Sequence, residues 1–206
     1  NVEIEFTNFA HHYRVPIIPE NEIWVDHEAS DNESLFFFAH CVVERALMKK
    51  GIEYQKALEI ANEVELELRR KEGDPELGPK EVESVKKSLL STLPDGTTVW
   101  RVDGRKIRSG YDINFTEGGH EYVYKYVPAG EVWIDDDLTP KDVPFVLLHE
   151  LLEQQLMRKG YAYPHAHKVC SGLEQAMRNA PELLTAMFKI VTRQQLQPPA
   201  DSQSPT

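Results

Sequence analysis

Cysteine is scarce. The 206 residues hold two, Cys41 and Cys170. Two cysteines in a chain of this length build no disulfide framework, so both read as reduced thiols in a cytoplasmic setting. No run of about 18 or more apolar residues occurs, so no transmembrane helix is expected, and no signal-peptide pattern opens the chain. Clustered Lys and Arg are also missing. The formal net charge is −11, which argues against binding a nucleic-acid phosphate backbone, because that contact needs concentrated positive charge. There is no glycine-rich phosphate loop, no Gly-x-Ser-x-Gly and no Cys-x-x-Cys, so nucleotide, serine-hydrolase and dithiol chemistries lack their local signatures.

What the chain does have is a core and a repeat. Its hydrophobic share is 41% and its charged share 28%, the composition of a globular protein. The segment EIEFTNFAHHYRVPIIPENEIWVD (3–26) lies against DINFTEGGHEYVYKYVPAGEVWID (112–135) at an offset of 109 residues. The same offset aligns FFFAHCVVERALMKKGIEYQKALEIANEVE (36–65) with FVLLHELLEQQLMRKGYAYPHAHKVCSGLE (145–174). About 19 of some 63 aligned positions are identical, without a gap, which reads as a tandem duplication.

The expected fold class is α+β, each repeat a short antiparallel sheet followed by a two-helix hairpin. In copy two the strands are read at GYDINFT and HEYVYKYV, then at EVWID (131–135). The helices are read at 141–159 and 164–179, with Gly160 as the stop between them and Gly51 as its counterpart in copy one. TTVWRVDGRKIRS reads as a further hairpin turning at Asp103-Gly104, KEVESVKKSLLSTL as a linking helix, and PELLTAMFKIVTRQQ as a closing one. The organisation expected is a first repeat over 1–71, a linker over 72–96, a second repeat over 97–195 and a disordered polar tail over 196–206.

The chemistry concentrates in the helix FVLLHELLEQQLM. Phe145, Leu148, His149, Leu152, Glu153 and Leu156 share one face by their spacing. A histidine and a carboxylate on an apolar face need a partner, since burying an unpaired charge costs several kcal/mol, on the order of 3–5. Residues four apart on a helix can chelate one ion, as the histidines of His-Glu-x-x-His do. His149 and Glu153 are the candidate pair, and His167 on the next helix is the candidate third ligand. Zinc, or another divalent transition metal, suits this donor set. Glu150 falls where a general base would stand. Glu174 is either a fourth ligand or a group that orients His167. His120 is a weaker candidate ligand, and His165 is read as facing solvent. Trp24, Trp100 and Trp133 read as core or interface aromatics, and Asp135–Asp137 as a loop-shaping run.

The order His149-Glu150-x-x-Glu153, Leu156-Met157, Gly160, Tyr163-x-x-Ala166-His167 and Glu174 resembles a group of uncharacterised phage and bacterial proteins of zincin-like metallopeptidase character. The resemblance spans roughly 98–178 and implies a metal-site helix pair. Glu153 stands where a zincin carries its second histidine.

Copy one keeps part of this set. His40, Glu44, Glu65 and His11 match His149, Glu153, Glu174 and His120, whereas Cys41 replaces Glu150 and Leu58 replaces His167. Two functions follow. One is a metal-dependent hydrolase with a dead first copy, acting on a substrate such as a peptide bond. The other is a non-enzymatic, acidic phage or mobile-element accessory protein that binds a protein or peptide partner, its His–Glu pairs being structural.

Overall fold

The computed structural model describes residues 9–25, 31–74, 77 and 79–194. They build six α-helices and two small sheets, which is the α+β class, and divide into two units. The tail expected at 196–206 lies outside the described residues. Among those residues, no helix is long and apolar enough to cross a membrane.

The first unit takes 1–86, 102–117 and 135–139. Its sheet is an antiparallel pair, β1 (Phe9–His11) and β2 (Ile23–Val25), with Phe9 opposite Val25 and His11 opposite Ile23. Two helices follow and pack on each other, α1 (Asp31–Lys49) and α2 (Tyr54–Lys71). Gly51 ends α1 at φ +83°, a left-handed backbone where a Cβ would be strained. The Ile52 N–H returns to Leu47 O and the Gly51 N–H to Met48 O, satisfying carbonyls that the helix end would otherwise orphan. On α2, Ala57, Ala61, Glu65 and Arg69 recur every four residues and are all buried. The two alanines form the smooth part of the stripe, and Glu65 and Arg69 are charges taken inside.

Those charges are paired. The Arg69 guanidinium donates to both Glu33 oxygens at 2.9 and 3.0 Å and to Glu65 at 2.7 and 2.9 Å. A short helix, α3 (Gly104–Gly110), adds Arg108, which donates to Glu33, Asp135 and Asp137. Bidentate, mutually hydrogen-bonded ions of this kind are what make buried charge tolerable. Burial still pushes the Asp135 carboxyl up to about 6, against the pull of Arg108 and with the Asp137 charge adding to it. The Asp137 N–H donates to Asp135 Oδ1 at 3.0 Å, so this acidic run shapes its own loop around an arginine.

The second unit takes 87–101, 118–134 and 140 onward. Its four-stranded sheet has the order β3-β4-β6-β5, from β3 (Lys86–Thr92), β4 (Thr98–Val102), β5 (Gly118–His120) and β6 (Glu131–Asp135). β5 and β6 are antiparallel, with Gly118 opposite Ile134 and His120 opposite Val132. The helices are α4 (Val143–Arg158), α5 (Tyr163–Asn179) and α6 (Leu184–Gln194), and α4 packs against β5, α5 and α6. Gly160 at φ +92° closes α4 with the same bonds seen at Gly51, Tyr161 N–H to Leu156 O and Gly160 N–H to Met157 O. Pro164 sits in the first turn of α5, where its missing N–H costs nothing. Val132, Trp133, Ile134, Leu148, Leu151 and Ala166 are the core.

Several sequence expectations are corrected. The linking helix is a 3-10 segment, Pro79–Val85, followed by strand β3; its apolar run is too short for periodicity to decide, and pairing beside β4 wins. The hairpin turn lies at Pro94–Gly96, where Leu93 N–H reaches Thr97 O. Asp103-Gly104 instead starts α3, the Asp103 side chain accepting the Lys106 N–H at 3.0 Å, since Asp serves an N-cap as well as a turn. GYDINFT is the end of α3 and turns, and of HEYVYKYV only His120 is strand. Residues 121–127 coil back through Val123 and Tyr124 N–H groups on His120 O. Trp24 is 41% exposed, whereas Trp133 is fully buried.

Candidate metal centre

α4 carries His149, Glu150 and Glu153, all buried. α5 brings His167 and Glu174, and β5 ends at His120, which is fully buried. The tight Gly160 closure sets α5 back along α4, so His167 comes to the His149–Glu153 turn. His149 Nε2 lies 3.2 Å from His167 Nδ1 and 3.5 Å from Glu153 Oε2, and His167 Nδ1 lies 2.9 Å from Glu153 Oε2. Three of the four sequence-derived metal residues therefore meet in one triangle, and these three can hold a metal ion.

Glu174 stands elsewhere. It accepts from His149 Nδ1 at 2.8 Å, behind the ring and away from the triangle. It thus orients His149 rather than His167. In a neutral ring, a proton kept on Nδ1 would leave the Nε2 lone pair toward His167 and Glu153, the arrangement a metal-binding imidazole needs. Arg178 holds Glu174 from its other side, Nε donating to Oε1 at 2.9 Å, and also reaches Asp142 at 2.7 Å. Burial works against charge on Glu174, but His149 and Arg178 outweigh it and keep its carboxyl below the usual range.

Glu150 is not one of the three triangle residues and forms a second close group with His120 and Glu153. Burial pushes the Glu150 carboxyl up to about 7, with the neighbouring histidine charges opposing that rise and Glu153 adding to it. Burial likewise opposes ionisation of Glu153, yet His120, His149 and His167 hold its carboxyl far below the ordinary range. His149 behaves in the complementary way. Burial disfavours its cation, but Glu153, Glu174 and Glu150 together raise its pKa to about 10. The cluster thus sets its carboxylates against two cations, Arg178 and His149. It also opens to solvent on one side, because the His167 side chain is 32% exposed while that of His149 is 9% exposed. The Tyr163 ring stacks on the His167 ring, centroids 5.2 Å apart. His165 is exposed and stacks on Tyr161.

The first unit holds a similar His–Glu cluster. His40 Nδ1 is 2.9 Å from Glu65 Oε2, His40 Nε2 is 3.5 Å from Glu44 Oε2, and His11 Nε2 is 2.9 Å from Glu44 Oε1. Glu33–Arg69–Glu65 stands where the second unit has Asp142–Arg178–Glu174. Even Trp24 Nε1 on Glu22 and Trp133 Nε1 on Glu131 agree, at 2.8 Å each.

The differences are local. Leu58 stands at the His167 place and Cys41, fully buried, at the Glu150 place. Burial pushes the Cys41 thiol up to about 12, so it is a poor nucleophile at neutral pH. Phe9, whose ring lies 4.7 Å from that of His40, stands at the Gly118 place. Arg14, with Nη1 3.9 Å from Glu44 Oε1, stands at the Val123 place. Arg14, Arg178, Asp142 and Gly118 escaped the sequence reading. Extending the 109-residue offset beyond Glu65 pairs Arg69 with Arg178, filling the gap between the aligned segments pairs Glu33 with Asp142, and the Phe9–Gly118 and Arg14–Val123 mismatches lie inside the aligned segments.

Comparison with protein-family models, with curated proteins and with solved structures yields no match, so the functional reading rests on the geometry of the site.

Proposed function

We propose that the chain is a metal-dependent hydrolase of zincin-like type, in which His149, Glu153 and His167 hold a divalent transition metal, zinc by preference, and Glu150 is the general base. The observation that carries this reading is the triangle of ligand atoms with edges of 2.9, 3.2 and 3.5 Å. Zinc–nitrogen bonds of about 2.0–2.1 Å in a tetrahedral shell imply ligand separations of about 3.3 Å. Two supports join it. The cluster sets the Glu153 and Glu174 carboxylates, with Glu150 beside them, against two cations, Arg178 and a protonated His149, and a divalent ion would take the place of the His149 Nε2 proton. The His167 side chain is 32% exposed, so solvent reaches that edge of the cluster.

A metal in this site supplies Lewis acidity, polarising the scissile carbonyl and acidifying a water. The chain's own groups do the rest. Glu150, with its carboxyl near neutrality, takes the proton from the attacking water as the new carbon–oxygen bond forms. It returns that proton to the leaving nitrogen or oxygen as the old bond breaks. With a metal in place of the Nε2 proton, Glu174, itself held by Arg178, would accept the Nδ1 proton of His149. A peptide or other acyl bond is the substrate class.

The same reading makes the chain a tandem duplication whose first copy has lost the chemistry. The 109-residue offset, the repeated Gly51 and Gly160 closures and the matching His–Glu contacts support it. Elemental mass spectrometry on protein purified without tag or chelator tests the metal. About one equivalent in the wild type and none in His149→Ala is expected. No metal, and no uptake on adding zinc, would reduce the helix pair to architecture.

The second reading, an accessory protein that binds a partner without chemistry, draws on α1. Leu35, Phe38 and Val42 line one side of it at helical spacing and are 74%, 50% and 42% exposed.

A further inference from the structure

His120 touches the candidate centre yet differs from its neighbours in how its ring is held. The backbone N–H of Tyr122 points at His120 Nδ1, at 3.3 Å. An amide N–H can only donate, so Nδ1 must accept and carry no proton. In the neutral ring the proton then sits on Nε2, which lies 3.1 Å from Glu153 Oε1. The His120 ring is fully buried, so water does not compete for either nitrogen. Glu153 thereby has its two oxygens assigned to different tasks. Oε1 accepts from His120, and Oε2 faces His149 and His167.

From this we infer that His120 is a positioning residue for the metal site: by donating from Nε2 to Glu153 Oε1, it fixes the carboxylate so that Oε2 alone is presented to the ion. The inference rests on the metal reading above and adds a role for a residue that reading leaves without one. A ligand role for His120 would require a bare Nε2, hence a proton on Nδ1 directed against the Tyr122 amide. That conflict is why the group His120, Glu150 and Glu153 is not a second ion site. A carboxylate free to rotate would chelate through both oxygens or swing toward Glu150. Partners that orient a metal's ligands in this way typically contribute about 10–100-fold to metal affinity.

The test uses the full chain, zinc as the probe, and a competing chromogenic chelator to read affinity. His120→Leu is expected to weaken zinc binding by about 10–100-fold at a stoichiometry still near one. His120→Gln, whose amide N–H can replace Nε2–H, should restore most of the loss. A residue that serves only packing would show no such rescue. Long-range proton–nitrogen spectra of nitrogen-15-labelled protein should find His120 Nδ1 unprotonated and Nε2 protonated, both with and without zinc; this holds even if the leucine variant fails to fold.

The outcomes separate. If the wild type binds no zinc, the metal reading fails and this inference with it. If the wild type binds and both variants match it, only the role of His120 fails. A proton on Nδ1, or two equivalents of zinc falling to one in His120→Leu, makes His120 a ligand and overturns the inference.

Discussion

Gly118 leaves Glu150 its room: a methyl group added to Gly118 would stand 3.0 Å from Glu150 Cγ, 3.1 Å from Trp133 O and 3.2 Å from Val146 Cγ1. None of these is the loose end of a flexible side chain. Gly118→Ala should therefore overpack the β5–α4 contact and cost about 1–3 kcal/mol. It should also displace Glu150 and lower any hydrolytic rate while zinc uptake persists. Thermal denaturation read beside zinc titration checks this; an unchanged melting temperature would mean that α4 yields freely.

Glu150→Gln removes the base and keeps its shape. If Glu150 moves the proton, turnover on a responsive peptide or ester should fall by about 10²–10⁴-fold. Metal content and fold should not change. Equal turnover in the variant and the wild type would remove Glu150 from the reaction.

Acid should unlock the first unit through Glu44. Burial disfavours its charge, but His11, His40 and Arg14 overcome that and lower its carboxyl to about 2. A depressed carboxyl stabilises the fold above its ordinary pKa of about 4.5, and that stability is lost as pH falls from there toward 2. The shift corresponds to about 3 kcal/mol. His40 acts at the other limb. Burial opposes its charge, but Glu44 and Glu65 raise its pKa. Its contribution is therefore whole below about 6.5 and fades as pH rises through the elevated value. Urea midpoints across pH for the wild type and Glu44→Gln should converge at low pH and diverge near neutrality; parallel curves would refute the assignment.

The first unit should be convertible. Leu58→His supplies the missing third ligand beside His40 and Glu44, and Arg14→Val removes the cation that already neutralises Glu44. The double variant should raise zinc stoichiometry from one toward two. Leu58→His alone should gain less. No gain in the double variant would show that the matched contacts do not extend to ligand geometry.

The α4–α5 pair and its glycine and proline boundaries were legible in the sequence because their signals are local, whereas α3 and the 3-10 segment before β3 were not. The α4 stripe, the Gly51 and Gly160 stops and Pro164 each announce themselves within one turn of chain. The sheet was not. Tyr122, Tyr124 and Tyr126 alternate like a strand, yet the chain coils back on His120 O, because the pairing that decides a strand is made far away in sequence. The site shows the same division. His149, Glu153 and His167 follow from helical spacing plus a short connection. The Asp142–Arg178–Glu174 arm depends on where α5 lies along α4. Gly118 matters only through the atoms that would crowd its absent side chain.

Arg14 and Val123 give the two clusters different economies of charge. In the first unit the compensating cation is tethered to the backbone by its own side chain and travels with the fold. In the second, that position is an aliphatic residue, and on the metal reading the compensation is an exchangeable ion drawn from the surroundings. A covalently owned charge makes a cluster indifferent to its medium; a borrowed one makes it answer to ion supply. One chain would then hold a fixed module and a responsive one built to the same plan, with the ambient metal concentration deciding how far their stabilities diverge.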